Sequence, residues 1–304
     1  MRKLRSQDEI IASWQGADTP LVSICCITFN HEAYIEDALE GFLIQQTDFP
    51  FEILIHDDAS TDATAEIIRE YERAYPKLIK PIYQTENQYS KVRAMNPTFN
   101  YPRAKGDFIA LCEGDDYWTE KNKLQKQVDY LQSHEAYSMC SHNVRFEFDG
   151  VVEKHNNYTA RVIQDAGFEE ILSNGLFIAL NSIVFRKHLF EKPDWLGQLP
   201  GGHKALIYIL TGRGKNHHFL EEMAVKRRNP GGVTITQKKA RSDSYFERNI
   251  FLLENLKVYF GHAYDKVINK KLRKLYVRQV LSHLSRLRIK SALMGLIHAL
   301  RLSN

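Results

Sequence analysis

Much of what a chain of 304 residues could carry is missing from this one. No run of 18 apolar residues occurs, so nothing reads as a membrane span. Four cysteines, at 25, 26, 112 and 140, lie in or beside apolar runs with no Cys-x-x-Cys spacing. A disulfide framework or a zinc site is therefore not expected, and a reducing compartment is. The basic start, Met1-Arg-Lys-Leu-Arg, is followed by an apolar stretch (Ile10–Trp14) too short for a signal peptide, so a cytoplasmic location is the expectation. Gly212-x-Gly214 lacks the third glycine and the preceding strand of a dinucleotide fingerprint. There is no Walker lysine followed by Ser/Thr, no Gly-x-Ser-x-Gly and no His-Glu-x-x-His, which removes the usual signatures of dehydrogenases, P-loop enzymes, serine hydrolases and zincins.

What is present is the balance of a globular protein, with 43% hydrophobic and 26% charged residues. Disordered, collagen-like and polytopic membrane classes are excluded. The net charge of +4 is unevenly placed. Residues 241–304 hold thirteen Lys/Arg against four Asp/Glu, so the acidic charge belongs to the first part and the basic charge to the tail.

The first 120 residues alternate strand and helix patterns. Leu21–Thr28 and Phe51–His56 are continuous apolar, β-branched runs, as in strands buried on both faces. Leu78–Tyr83 and Phe108–Cys112 read as further strands. Helices are expected over Glu32–Gln46 and Ala63–Tyr75, the second capped by Ser60 or Thr61. Such alternation implies an α/β fold with a mostly parallel, Rossmann-like sheet flanked by helices. Beyond Thr119 the pattern loosens. Lys121–Ser133 is helical, Ser138–Phe148, Phe177–Phe185 and Met223–Arg228 read as strands, and Leu206–Leu210 begins another helix. His217-His218 reads as a surface pair after a Gly-Arg-Gly-Lys turn. Pro230-Gly231-Gly232 breaks the chain, and from Ser242 the pattern is helical. The expected division is a domain over 1–240 and a basic helical extension over 241–304.

Ligands of open parallel sheets bind beyond the carboxyl ends of the strands. Three such ends carry polar groups: Thr28-Phe29-Asn30, Asp57-Asp58, and Glu113-Gly114-Asp115-Asp116. Acidic side chains there repel a bare diphosphate, but suit one bridged by a divalent cation. Hard oxygen ligands point to Mg2+ or Mn2+ rather than zinc. The plainer alternative makes Asp57-Asp58 a capping turn and 113–116 a solvated loop.

In three motifs the chain resembles the inverting nucleotide-sugar glycosyltransferases of family 2, which have the GT-A fold. They are Val22-Ser23-Ile24 through Thr28-Phe29-Asn30, Ile55-His56-Asp57-Asp58-Ala59-Ser60-Thr61-Asp62, and Ala104-Lys105-Gly106-Asp107 through Glu113-Gly114-Asp115-Asp116-Tyr117-Trp118. The likeness is specific over about residues 20–120, weakens over 120–235 and is absent beyond about 240. It implies that Thr28 and Asn30 line a nucleoside pocket and that Asp57 accepts a hydrogen bond from the base, as the N–H of a uracil-type ring allows. Asp58 orders the turn. In the family's aspartate-x-aspartate motif Glu113 takes the first place, facing the ribose or a metal-bound water, and Asp115 the last. Asp115 and Asp116 are the expected metal ligands. Tyr117 and Trp118 offer flat faces to the sugar or belong to the core. Arg93, or Lys91, reaches the diphosphate or is a solvated loop charge.

The same likeness implies a metal-dependent inverting transfer from a nucleotide diphosphate sugar, a UDP-sugar first, to a hydroxyl of a glycan or lipid-linked glycan in cell-surface polysaccharide assembly. The family's catalytic base is usually an Asp in a Gly-Asp-x-x-Leu segment. The corresponding stretch is Gly201-Gly202-His203-Lys204-Ala205-Leu206, which puts His203 in that place; an imidazole can take a proton there. Where relatives carry a Tyr-Arg-x-His-type segment, this chain has Lys226-Arg227-Arg228-Asn229, with Arg227 and Arg228 supporting the diphosphate. The two departures keep open a different class, a non-catalytic sugar-nucleotide or glycan-binding protein on the same scaffold. A nucleotidyltransferase is disfavoured, because residues 21–32 hold no glycine-rich phosphate loop.

The basic tail allows two readings. Residues 265–300 make peripheral contact with an anionic membrane, on the inner face of the cell membrane, or their leucines pack on the first domain or in a homo-oligomer. Nucleic acid is not expected as a partner, since no recognised binding module accompanies the charge.

Overall fold

The computed structural model describes residues 4–16, 19–148, 150–153, 163–199, 202–228, 243–285 and 289–302. Its described residues form two compact units. One comprises Met1–Ala166 with Phe177–Arg228, and the other Gly167–Leu176 with Asn229–Asn304.

The first unit is built on one ten-stranded sheet. β1 (Val22–Thr28) and β2 (Phe51–Asp57) are the inner pair of its parallel part, and nearly every residue of both is buried. β3 (Ile79–Tyr83) and β4 (Phe108–Leu111) flank them, all parallel, in the order β3-β2-β1-β4. The helices between them, α2 (Ile35–Leu43) and α3 (Thr64–Ala74), bury Ile35, Ala38, Leu39, Phe42 and Ile68. The preceding short helix α1 (Gln7–Ile11) is closed by a capping box between Ser6 and Glu9. The parallel register puts Thr28 beside Asp57 and Asp57 beside Tyr83, so these carboxyl ends finish in one row.

Beyond β4 the sheet becomes mixed. β9 (Val184–Arg186) enters antiparallel to both β4 and β6 (Tyr137–Phe148), β10 (Lys215–Arg228) runs parallel to β6, and β5 (Tyr117–Trp118) closes the far edge antiparallel to β10. The short strands β7 (Val151–Val152) and β8 (Asp165–Ala166) attach to β6 and β10. α4 (Lys123–Ser133) packs against β6, and α6 (His203–Thr211) against β6 and β10. At Gly41 a side chain would come within 2.8 Å of the Trp118 backbone, so α2 can lie directly on β5 only with glycine there.

Three expectations are corrected. Phe177–Phe185 is not one strand, because Leu180–Ser182 turns as a 3-10 helix and only Val184–Arg186 pairs. The strand expected over Met223–Arg228 begins at Lys215, with its ladder broken by irregularities around Phe219, Glu222 and Ala224. His217-His218 lies inside that strand rather than on a surface turn. His217 pairs with Asp165 at 2.7 Å and stacks on Tyr130, while His218 is buried.

The second unit holds α5 (Phe168–Asn174) with α7 (Asp243–Tyr259), α8 (Asp265–Leu284) and α9 (Ile289–Arg301). Phe168 packs on Phe260 and Tyr264, and Lys271 donates to the Leu172 carbonyl at 2.9 Å, which ties α5 to these C-terminal helices. No helix among the described residues is long and apolar enough to cross a membrane.

Candidate active site

The loops after β1 and β2 are laced together. Asn30 adopts φ 53, a left-handed conformation that asparagine tolerates. Its Oδ1 accepts the Thr61 N–H at 2.8 Å, and its own N–H donates to Ser60 Oγ at 2.9 Å. Glu32 accepts from Ala63 N–H, and Asp62 accepts from Glu32 N–H. Neither Ser60 nor Thr61 caps α3; Ala63 stands at the cap, and Asp62 Oδ1 takes the Thr64 N–H at 3.0 Å.

Ser60 instead serves Asp57, donating to the carboxylate from both its N–H and its hydroxyl. Burial raises the Asp57 carboxyl above the usual range, and the Ser60 bonds oppose that. A carboxylate offers about four lone-pair sites, so Asp57 retains capacity to accept a further N–H. Asp58 faces the other way. It accepts from Asn87 Nδ2 and from the N–H groups of Gln88 and Tyr89, and so orders the loop after β3 rather than its own turn. That loop carries Arg93, whose guanidinium lies over the Tyr89 ring at 4.6 Å, and Lys91, which pairs with Glu86.

Acidic side chains gather at the end of β1. Cys112 N–H and Gly114 N–H donate to the carbonyls of Cys25 and Ile27, extending the β1–β4 ladder into residues 112–116. Gly114 sits so close to Thr28 that a Cβ would fall 2.9 Å from its side chain. Oxygens of Glu113, Asp115 and Asp116 lie within 4.8 Å of one another. Asp116 is fully buried, bonded to Lys226 Nζ at 3.1 Å and to Arg227 N–H at 2.8 Å; Lys226 is also 3.9 Å from Glu113. Burial pushes the Asp116 carboxyl up, Lys226 pulls it down, and Asp115 and Glu113 push it up again. For Lys226 the neighbouring Asp116, Glu113 and Asp115 outweigh burial and hold the ammonium above its ordinary range.

These groups fit a divalent cation. Three carboxyl groups beside the Lys226 ammonium offer clustered hard oxygen donors, the set that Mg2+ or Mn2+ takes. The buried Thr28 Oγ1 and His31 Nδ1, near this loop, have no hydrogen-bond partner, so polar capacity there remains unused. Glu113, with a side chain 42% exposed, and Asp115 are the accessible members, whereas Asp116 is committed to Lys226 and Arg227.

Arg227 is similarly committed. It bridges Asp37 and Glu147 and lies over the rings of Tyr34 and Tyr117. Its side chain is 8% exposed, so reaching a diphosphate requires giving up these contacts. Arg228 lies over Phe146 and Phe148. Trp118 belongs to the core rather than to a sugar surface: it is buried against Phe42, and its indole donates to the Asn181 carbonyl at 2.8 Å. Tyr117 keeps part of its surface and donates to Glu147. His203 is the exposed first residue of α6, and Asn229 lies outside the described residues. Sequence reasoning gave no role to Lys226, Glu147, Asp37 or His31. The cationic run ending β10 was the available signal for Lys226.

The model of glycosyl transferase family 2 matches residues 23–192. The chain belongs to glycosyl transferase family 2. Among relatives, an uncharacterised Mycobacterium tuberculosis protein is 37% identical over 218 residues, covering 70% of this chain and 60% of that one. A Bacillus subtilis protein named as a teichuronic acid biosynthesis glycosyltransferase, TuaG, is 34% identical over 126 residues, 41% of this chain and 48% of its own length. The chain thus spans about 60% of the mycobacterial relative. Among solved structures, Staphylococcus aureus TarS 1–349 in complex with UDP-GlcNAc aligns with a TM-score of 0.58 at 15% identity, covering 89% of each chain. The mannosyltransferase PcManGT of Pyrobaculum calidifontis, in complex with GDP-Man and Mn2+, gives 0.53 at 17%, covering 97% of this chain and 81% of that one. At these identities the structural likeness is one of fold. The family-2 match begins on β1 and includes both laced loops and the acidic segment.

Proposed function

We propose that the protein is a metal-dependent inverting glycosyltransferase that moves a sugar from a nucleotide diphosphate donor, UDP-linked, to a hydroxyl of a glycan or lipid-linked glycan. The observation that carries this reading is the trio of carboxylates within 4.8 Å at the mouth of the sheet, backed by Lys226. Asp115 and Glu113 would hold the ion. A bound Mn2+ or Mg2+ supplies neutralising charge for the departing diphosphate.

The chain's own residues take the remaining roles. Lys226 and the Arg227 N–H fix Asp116, and through it the loop that presents Glu113 and Asp115. Asp57, oriented by Ser60, accepts an N–H from the base, and Asn30 and Thr28 shape the wall beside it. The acceptor hydroxyl attacks the anomeric carbon from the face opposite the breaking bond to phosphate. His203, at the exposed start of α6, takes the acceptor proton. Arg93 stands on the loop ordered by Asp58, a position from which it can meet negative charge on the donor. The Bacillus relative named for teichuronic acid biosynthesis supports a cell-surface polysaccharide acceptor.

The test is a panel of UDP-, GDP- and dTDP-sugars measured for thermal stabilisation with and without Mn2+. Selective, manganese-dependent stabilisation by a UDP-sugar supports the reading, and no stabilisation by any member contradicts it. Release of UDP from that donor, abolished by Asp115→Ala, separates an enzyme from a binding protein. Loss of turnover with retained donor binding in His203→Ala identifies the base; unchanged turnover refutes that role.

A further inference from the structure

Helices α7 and α8 bury Leu252, Leu256, Ile268, Leu272 and Leu275, but α9 and the last turns of α8 leave large apolar side chains exposed. Where α9 meets α8 it presents small groups. A Cβ on Gly295 would stand 2.9 Å from Val280, Ala299 is buried, and His298 stacks on Tyr276 with ring centroids 5.2 Å apart. Leu293, Met294, Leu296 and Leu300 on α9, with Leu281 on α8, are instead exposed by 45–61%. A helix that merely closes a core turns these groups inward.

The charge around this apolar surface has one sign. Residues 266–304 contain ten Lys/Arg and no Asp/Glu. On α8 the exposed residues follow one stripe, from Lys270, Arg273 and Lys274 through Val277 and Arg278 to Leu281. The four cations and Val277 line a single open groove. The stripe therefore passes from cationic to apolar along the helix axis.

We propose that α8 and α9 form a docking surface for an anionic phospholipid bilayer, with the leucines and Met294 entering the acyl boundary and the α8 cations meeting headgroup phosphates. Charge complementarity selects this occupant. A second copy brings another ten cations to the contact with no carboxylate from the same stretch to meet them. A nucleic acid satisfies the cations and leaves the apolar row in water. An anionic bilayer satisfies both, since amphipathic helices bind by buried apolar area together with attraction to acidic lipid. This inference is independent of the sugar-transfer reading and its test does not measure transfer.

The experiment is flotation of the full chain with vesicles of phosphatidylcholine and phosphatidylglycerol (7:3), or of phosphatidylcholine alone, across a salt series. The expected result is association with the anionic vesicles at low salt that weakens as salt rises. Reversing Lys270, Arg273, Lys274 and Arg278 to Glu lowers partitioning by at least about tenfold, since each cation contributes several-fold. Leu293→Ser with Leu296→Ser and Leu300→Ser lowers it as well. All these positions are exposed, and far-UV circular dichroism identifies any variant that fails to fold, in which case each single substitution takes its place. Three results overturn the proposal: no association with anionic vesicles at low salt, equal association with both lipids, or binding that the serine variants leave unchanged. Concentration-dependent self-association abolished by the serine substitutions, without lipid binding, assigns the face to a second copy and overturns it too.

Discussion

The Lys226 ammonium lies 3.1 Å from the carboxylate of Asp116, a side chain with no exposed surface, and joins β10 to an acidic loop 110 residues earlier in the chain. Removing one partner of such a pair leaves a buried charge uncompensated, which costs about 3–5 kcal/mol. Lys226→Met should therefore lower the unfolding free energy by about 3 kcal/mol in urea titration. Asp116→Asn in the same background should restore part of it, because the charge left behind is gone. Strict additivity of the two substitutions contradicts a direct coupling.

Gly114 is required by its contact with Thr28. An added methyl 2.9 Å from the Thr28 side chain must displace either the acidic loop or the end of β1. Gly114→Ala should cost about 1–3 kcal/mol and weaken manganese binding, read by thermal unfolding and by titration calorimetry. A variant with unchanged melting temperature and ion affinity shows that the loop yields freely.

Arg227 joins Asp37 on α2 to Glu147 on β6 with one planar guanidinium between two aromatic rings. A lysine keeps the charge but not the fork. Arg227→Lys should destabilise by about 1–2 kcal/mol in denaturant unfolding, and wild-type stability refutes the bridging role.

The buried His218 is held neutral, its pKa pushed down to about 4 by burial and by His217. Asn143 uses its amide to donate to the Leu220 carbonyl, so its Oδ1 takes the His218 Nε2–H, and the Nδ1 lies 2.8 Å from the Ser141 hydroxyl. An unfolded histidine binds a proton below about pH 6.5, and the folded one only near pH 4. The unfolded state binds more protons in that window, so stability falls as pH drops from about 6.5 to about 4, by about 3 kcal/mol in full. Comparing ΔG against pH for wild type and His218→Gln should give a flatter profile for the variant over that range. Identical slopes contradict the assignment.

The parallel part of the sheet was legible because β1 and β2 are buried and read as unbroken apolar runs. The polar ends of β1, β2 and β4 are likewise visible as motifs that carry Thr28, Asp57 and Glu113. The later half was less legible, for stated reasons. Ile178, Ala179 and Ile183 are buried, yet Leu180–Ser182 between them turns as a 3-10 helix, so hydrophobicity alone misled. β10 hides behind His217, His218, Glu221 and Glu222, polar residues that the strand accommodates through the Asn143–His218–Ser141 network and three ladder irregularities. The partners of Lys226 and Arg227 depend on how β10 meets the acidic loop, α2 and β6, which no local pattern encodes. Asp58 misled in a finer way, since its ligands come from the loop after β3 rather than from its own turn.

The central claim is that the carboxylates at the mouth of the sheet complete their site with a divalent ion and a nucleoside diphosphate. Its most direct test is calorimetric titration of UDP into the full chain, with and without Mn2+, in wild type and in Asp115→Asn. The account predicts at least about tenfold tighter UDP binding with manganese in the wild type, and no manganese effect in the variant. Equal affinity with and without the ion, or a variant that responds like the wild type, contradicts it.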